Sequence, residues 1–205
     1  MSYFKNLQRL LPFVILFAIS LPSKGQGVKL TAFGGYTIQD KVYGYYGDMV
    51  ISDGAHYGGM LSFEKSSNIA IDLSYSHQSA TFDVKDYTSI TNNATGKYSG
   101  SVSYLMLGTR HSPDFNAKVA PYGGIMLGAA IFKSTVTSED WKFAVGGKLG
   151  LVYHINEKVG IMIQTQLMVP VQSLGIYFGT GGAGAGTSST ATQLGFTGGL
   201  EFMIR

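Results

Sequence analysis

Residues 159–169 read VGIMIQTQLMV, and the parity of this run decides the fold. Its odd positions are Val159, Ile161, Ile163, Thr165, Leu167 and Val169; its even ones are Gly160, Met162, Gln164, Gln166 and Met168. Successive side chains of a strand point to opposite sides, so the run presents one apolar face and one of small, amide and thioether groups. Helical spacing does not explain it. The same alternation recurs elsewhere. Ile69, Ile71, Leu73 and Tyr75 interleave with Ala70, Asp72, Ser74 and Ser76; Phe143, Val145, Leu149, Leu151 and Tyr153 interleave with Lys142, Ala144, Gly146, Lys148 and Gly150. Near the C-terminus Leu194, Phe196, Leu200, Phe202 and Ile204 interleave with Gln193, Gly195, Thr197, Gly199 and Glu201.

Working outward from these runs gives eight strands, near 28–39, 56–64, 69–81, 98–110, 119–132, 141–153, 159–169 and 191–204. Their connections alternate in length. Segments 65–68, 111–118 and 154–158 are short and carry Ser-Ser-Asn, Ser-Pro-Asp and Ile-Asn-Glu turn chemistry. Segments 40–55, 82–97, 133–140 and 170–190 are mostly longer and rich in Gly, Asp, Ser, Thr or Tyr. Eight two-faced strands with alternating short turns and long loops predict an all-β, eight-stranded, antiparallel up-and-down transmembrane β-barrel, with both termini on the periplasmic side.

Composition agrees. The chain is 45% hydrophobic, 13% aromatic and only 13% charged, where about 25% charge is usual for a soluble domain. Past the first 25 residues no stretch reaches the 18 or so apolar residues of a membrane helix. The N-terminus reads as an export signal: Lys5 and Arg9 precede an apolar run from Leu10 to Leu21, and Ser23-Lys24-Gly25 offers small residues before a cut near Gln26. This divides the chain into a signal peptide, 1–25, and a barrel, 26–205. Of 15 basic residues, Lys5, Arg9 and Lys24 lie in the leader, leaving 12 against 12 acids. A mature chain without net charge lacks the basic signature of a nucleic-acid partner. With no Cys there is no disulfide, thiolate metal site or lipidated N-terminal Cys.

A sheet crosses hydrocarbon only if its edges meet, because each unpaired backbone group there costs several kcal/mol, roughly. The first and last strands are therefore expected to pair. Outward Tyr36, Tyr57, Tyr75, Tyr104, Trp141 and Tyr153 are candidates for aromatic girdles at the interfaces. Lys29, Glu64, Asp72, Lys148 and Glu201 are expected to point into the lumen and pair there as a charge network. A soluble lipocalin-like barrel or sandwich also alternates, but its apolar face points inward. Here the second face is Gly, Ser, Thr and Gln with few charges, which suits a narrow packed lumen.

Tyr122-Gly123-Gly124 within a strand and the ending from Gly198 to Arg205 carry a resemblance. Over nearly its whole mature length the chain resembles the small porin-like outer-membrane barrels of the OmpA and OmpX type. The ending is similar to their barrel-insertion signal, with Thr197, Gly199, Phe202 and Ile204 at the polar, glycine and apolar places. The resemblance implies residence in the cell outer membrane, with membrane lipid, lipopolysaccharide, the barrel-insertion machinery and other outer-membrane proteins as partners.

Sites of chemistry are sparse. Residues 179–184 match G-x-G-x-x-G, but no helical pattern follows to hold a phosphate, so a surface loop is the expected reading. His56, His77, His111 and His154 have no ligand spacing, which argues against a metal; no cofactor is expected. His77-Gln78-Ser79 is similar to the outward His-x-Ser of PagL-type lipid A deacylases, with His77 as base and Ser79 as nucleophile. A carboxylate to orient the His is not evident nearby, and an ordinary polar end of a lipid-facing strand is preferred. Three functional classes follow: a non-enzymatic structural or interaction protein, either displaying surface loops or serving as a subunit of a larger outer-membrane assembly; a narrow pore or carrier of small apolar ligands; and, last, that deacylase.

Overall fold

The computed structural model describes residues 27–44, 47–86, 96–135, 139–171, 175–179, 182–186 and 192–204. The expected signal peptide lies outside them. The described residues form β1 (Val28–Thr37), β2 (Asp40–Gly44), β3 (Gly47–Ile51), β4 (Gly54–Glu64), β5 (Ile69–Asp86), β6 (Gly96–His111), β7 (Val119–Ser134), β8 (Asp140–His154), β9 (Val159–Val171), β10 (Gly175–Gly179), β11 (Gly182–Gly186) and β12 (Gln193–Met203).

Eight of these close a ring, β1-β4-β5-β6-β7-β8-β9-β12, in which every neighbour is antiparallel and β12 returns to β1 from Lys29↔Met203 to Thr37↔Gly195. The ring is staggered. From Trp141 the ladder runs through Ile131, Ser103, His77, Tyr57, Gly34, Gly198 and Ile163, and re-enters β8 at Leu151, ten residues further along. Eight strands with that shear tilt by about 40° and enclose a backbone radius of about 8 Å, a space that side chains fill.

The apolar face of each strand points out. Ile125 is 70% exposed, Leu149 64%, Ile163 59% and Phe143 56%. A soluble barrel reverses this polarity. Inside, the half nearest the short turns packs Met60, Ala70, Phe115, Tyr122, Val152 and Met162, while the half nearest the long loops packs Phe82, Val102, Met106, Met126, Ala144 and Met168 among others.

Two expected loops are drawn partly into the main sheet. Segment 40–55 contains the β2–β3 hairpin, and β5 runs on to Asp86. The stagger explains both: β4 covers β5 only as far as Gln78, and above that level β3 takes over the same edge, from Ile51↔Phe82 to Gly47↔Asp86. Ser52 N–H donates to Thr81 O at 2.9 Å where the two partners change over. The G-x-G-x-x-G stretch falls on a separate two-stranded hairpin, β10–β11, rather than at a helix N-terminus.

Inward glycines leave room for bulky neighbours. At Gly58 a Cβ would stand 2.0 Å from Tyr75 O and 2.8 Å from Phe33 Cζ. The first contact is with backbone, so relief requires moving β5. Gly58→Ala is expected to cost about 1–3 kcal/mol, read as a lower urea midpoint for the folded, heat-modifiable species. An unchanged midpoint would show that the wall gives freely.

Candidate functional site

The inward side chains of six strands meet in one ion cluster. Lys29 on β1 lies 2.7 Å from Glu64 on β4 and 3.3 Å from Glu201 on β12. Lys148 on β8 reaches across the lumen to Asp72 on β5 at 2.5 Å. Between these pairs stands Arg110 on β6, whose Nε is 3.1 Å from Asp72 and whose Nη1 is 3.0 Å from Glu201. Three cations thus face three anions, and Lys29, Asp72, Arg110, Lys148 and Glu201 are each no more than 3% exposed. In so narrow a space, pairing offsets the cost of desolvating each charge. The match is not complete: Arg110 Nη2, Thr31 Oγ1 and Ser62 Oγ have no hydrogen-bond partner among the described residues.

The five charges read from the sequence as luminal all lie inside. Arg110 was missed, although it is in phase with inward Met106, while Leu105 and Leu107 point out. Phe115 was also missed. It sits in the 112–118 turn, is 3% exposed, and lays its ring 5.5 Å from Arg110 and 5.9 Å from Lys29. That turn is fastened beneath the barrel: Phe115 N–H donates to Ser67 O at 2.8 Å and Ser112 N–H to Asn68 O at 2.9 Å. The short-turn mouth is stoppered by an aromatic ring resting on two cations.

Above the ions comes an amide and hydroxyl layer. Tyr122 Oη donates to Gln164 at 2.9 Å, Gln164 donates to Gln166 at 3.1 Å, and Tyr104 Oη donates to Gln193 at 2.8 Å. His56 bridges Thr37 at 2.9 Å and Thr197 at 3.0 Å, tying β4 to both strands of the closing seam. The gap left among Thr37, His56, Gln78, Tyr104 and Gln193 is about 10 Å³, the least that one water needs.

Tyr104 corrects the aromatic girdle. It is 6% exposed and points into the lumen, because it shares the parity of Met106. Tyr36, Tyr57, Tyr75, Trp141 and Tyr153 point outward and are 39–62% exposed. Of the four residues likened to an insertion signal, Thr197 is inward, Gly199 is inward against Phe33, and Phe202 and Ile204 are outward.

His77 and Ser79 share the outer wall, but the hydroxyl that meets the imidazole is Ser103. Its Oγ lies 2.9 Å from His77 Nδ1 across the β5–β6 ladder, and the Tyr57 ring lies 5.6 Å from the imidazole. No carboxylate orients that His among the described contacts. At the long-loop rim, hydrogen bonding to Lys133 at 2.8 Å holds the Glu139 carboxyl below the usual carboxylate range.

No protein-family model matches the chain. No curated protein matches it either. Solved structures do. Neisserial surface protein A is similar at 12% identity over 87% of this chain and 99% of its own, with a TM-score of 0.58. The outer membrane protein OprG from Pseudomonas aeruginosa matches at 13% identity over 88% and 96%, TM-score 0.59. AlkL, solved in lipid bilayers, matches at 16% over 91% and 96%, TM-score 0.50. The fold is therefore that of the small eight-stranded outer-membrane barrels.

Proposed function

We propose that this chain is a non-enzymatic barrel of the bacterial outer membrane that works through its outer surfaces, as a structural and interaction protein displaying its long connections or as a subunit of a larger envelope assembly. The observation that carries this reading is the filled lumen. Among the described residues, six interlocked charges and the Phe115 stopper fill the short-turn half of the lumen, and the mid-lumen gap above them is about 10 Å³. A barrel closed inside offers its partners only the lipid-facing wall and the rims. The lipid-facing apolar wall and the likeness to membrane barrels support lipid and lipopolysaccharide as surroundings. The β-signal-like ending supports delivery by the insertion machinery.

The test is conductance of the full chain in planar bilayers. No steady current above the lipid background is expected. Large, stable conductance would overturn the reading in favour of a pore. The carrier reading draws on the long-loop half of the lumen, where Ala80, Ala130 and Ala144 stand among Met106, Met126 and Met168. Below it lies the hydrogen-bonded layer of Tyr122, Gln164, Gln166, Tyr104 and Gln193.

A further inference from the structure

Among the described residues the outer wall is largely apolar, with one extended exception. On the long-loop half of β5 and β6 three consecutive outward pairs are polar: His77↔Ser103, Ser79↔Ser101 and Thr81↔Ser99. Ser101 is in turn paired with Lys133 on β7. Below this ladder the wall turns apolar at Tyr75↔Leu105 and Leu73↔Leu107.

The stagger of the ring gives the depth of this patch. Each ladder step from β8 through β7 and β6 to β5 descends about 3 Å, so Ser103 and His77 lie about 6 and 10 Å below Trp141. On β8 the same depths are occupied by Phe143 and Val145, two and four residues below Trp141. The exposed tyrosines follow the same dip: Tyr57 and Tyr75 lie next to the patch and, with Tyr36 on β1, about 11–15 Å below Trp141. Tyr side chains favour the boundary between headgroups and hydrocarbon. The upper edge of the apolar belt is therefore lower on the β1-β4-β5 side than on the β8 side, and hydroxyls and an imidazole fill the step. Acyl chains satisfy none of those groups, and leaving them bare in hydrocarbon is costly.

We propose that this notch on β5 and β6 seats the phosphorylated sugar headgroup of an outer-leaflet glycolipid. The hydroxyls of Ser79 and Ser101 and the His77 imidazole, which the buried Ser103 holds at 2.9 Å, face its sugar hydroxyls. Tyr57, 62% exposed at the foot of the notch, offers a ring for a sugar face. Lys133 beside Ser101 supplies the cation for a phosphate; its pair with Glu139 is exposed, 58% and 37%, and such pairs exchange at little cost. The inference rests on the membrane reading above and adds to it a specific lipid class and wall.

The test uses the full chain in nanodiscs doped with lipid A or, at equal mole fraction, phosphatidylglycerol, with retained lipid counted by native mass spectrometry. Wild type is expected to retain lipid A over phosphatidylglycerol by roughly tenfold, the scale of one or two charge-assisted hydrogen bonds. The combined variant His77→Leu, Ser79→Val, Ser101→Val is expected to lose the preference. Lys133→Gln, which leaves the wall intact, is expected to lower it by about threefold. Equal retention of both lipids by wild type, or an undiminished preference in both variants, would overturn the proposal. So would a disulfide dimer trapped by Ser79→Cys in this otherwise Cys-free chain, which would give the wall to a second copy. Nanodiscs carry the probe in both leaflets, so the outcome is independent of barrel orientation and of conductance.

Discussion

Asp72→Ala is expected to lower the unfolding free energy of the barrel by about 3–5 kcal/mol. Asp72 is held by two buried cations, with Arg110 Nε at 3.1 Å and Lys148 Nζ at 2.5 Å. Its removal strands Lys148, whose other polar contact among the described residues is the weak acceptor Met60 Sδ at 3.9 Å. Arg110 keeps Glu201. The loss therefore arises mainly from an unpaired ammonium buried in the lumen rather than from the missing attraction. A control separates the two: in Asp72→Ala with Lys148→Met the stranded charge is gone, and most of the stability is expected to return. Urea titration in lipid vesicles, followed by Trp141, the only Trp, reads both. A single-variant loss below about 1 kcal/mol, the scale of an exposed pair, would mean that water reaches the cluster and that the lumen is not sealed.

The second large effect is one of sidedness. Because the chain has no Cys, single substitutions report cleanly. Thr135 is exposed at the long-loop rim and Glu157 at the short-turn rim. On intact cells a membrane-impermeant maleimide is expected to label Thr135→Cys fully and Glu157→Cys only after the outer membrane is opened. The argument is topological: antiparallel strands in an even ring place all short turns at one rim, and the Phe115 stopper lies at that rim. Long loops are the side that outer-membrane barrels turn outward. Equal labelling before permeabilisation would end the orientation, though not the fold.

Parity made most of the fold legible, because the pleat assigns a side to every residue once one is known. It is why Lys29, Glu64, Asp72, Lys148 and Glu201 could be read as inward from the residues alone. It was equally available for Tyr104 and Arg110. Residue type alone puts Tyr104 in the girdle, against the phase of Met106, and Arg110 stands at the end of its run, where the alternation stops. For Phe115 no periodic signal exists. A turn residue's direction depends on what the turn meets, here Ser67 O and Asn68 O of the neighbouring turn.

The sequence by itself therefore determined the faces of the ring strands, their number and the inside-out polarity, all of which follow from a two-residue period and the spacing of turns. Register lay beyond it. Sliding one strand by two residues leaves every side chain on its own face, so parity cannot choose among such slips. Closure of the whole ring chooses. It set the ten-residue stagger that pairs His77 with Ser103 instead of leaving it to Ser79, hands the upper edge of β5 from β4 to β3, and brings Arg110 between Asp72 and Glu201. Contacts across a barrel join residues as far apart in the chain as Arg110 and Glu201, and their meeting is decided by how all eight strands fit together at once.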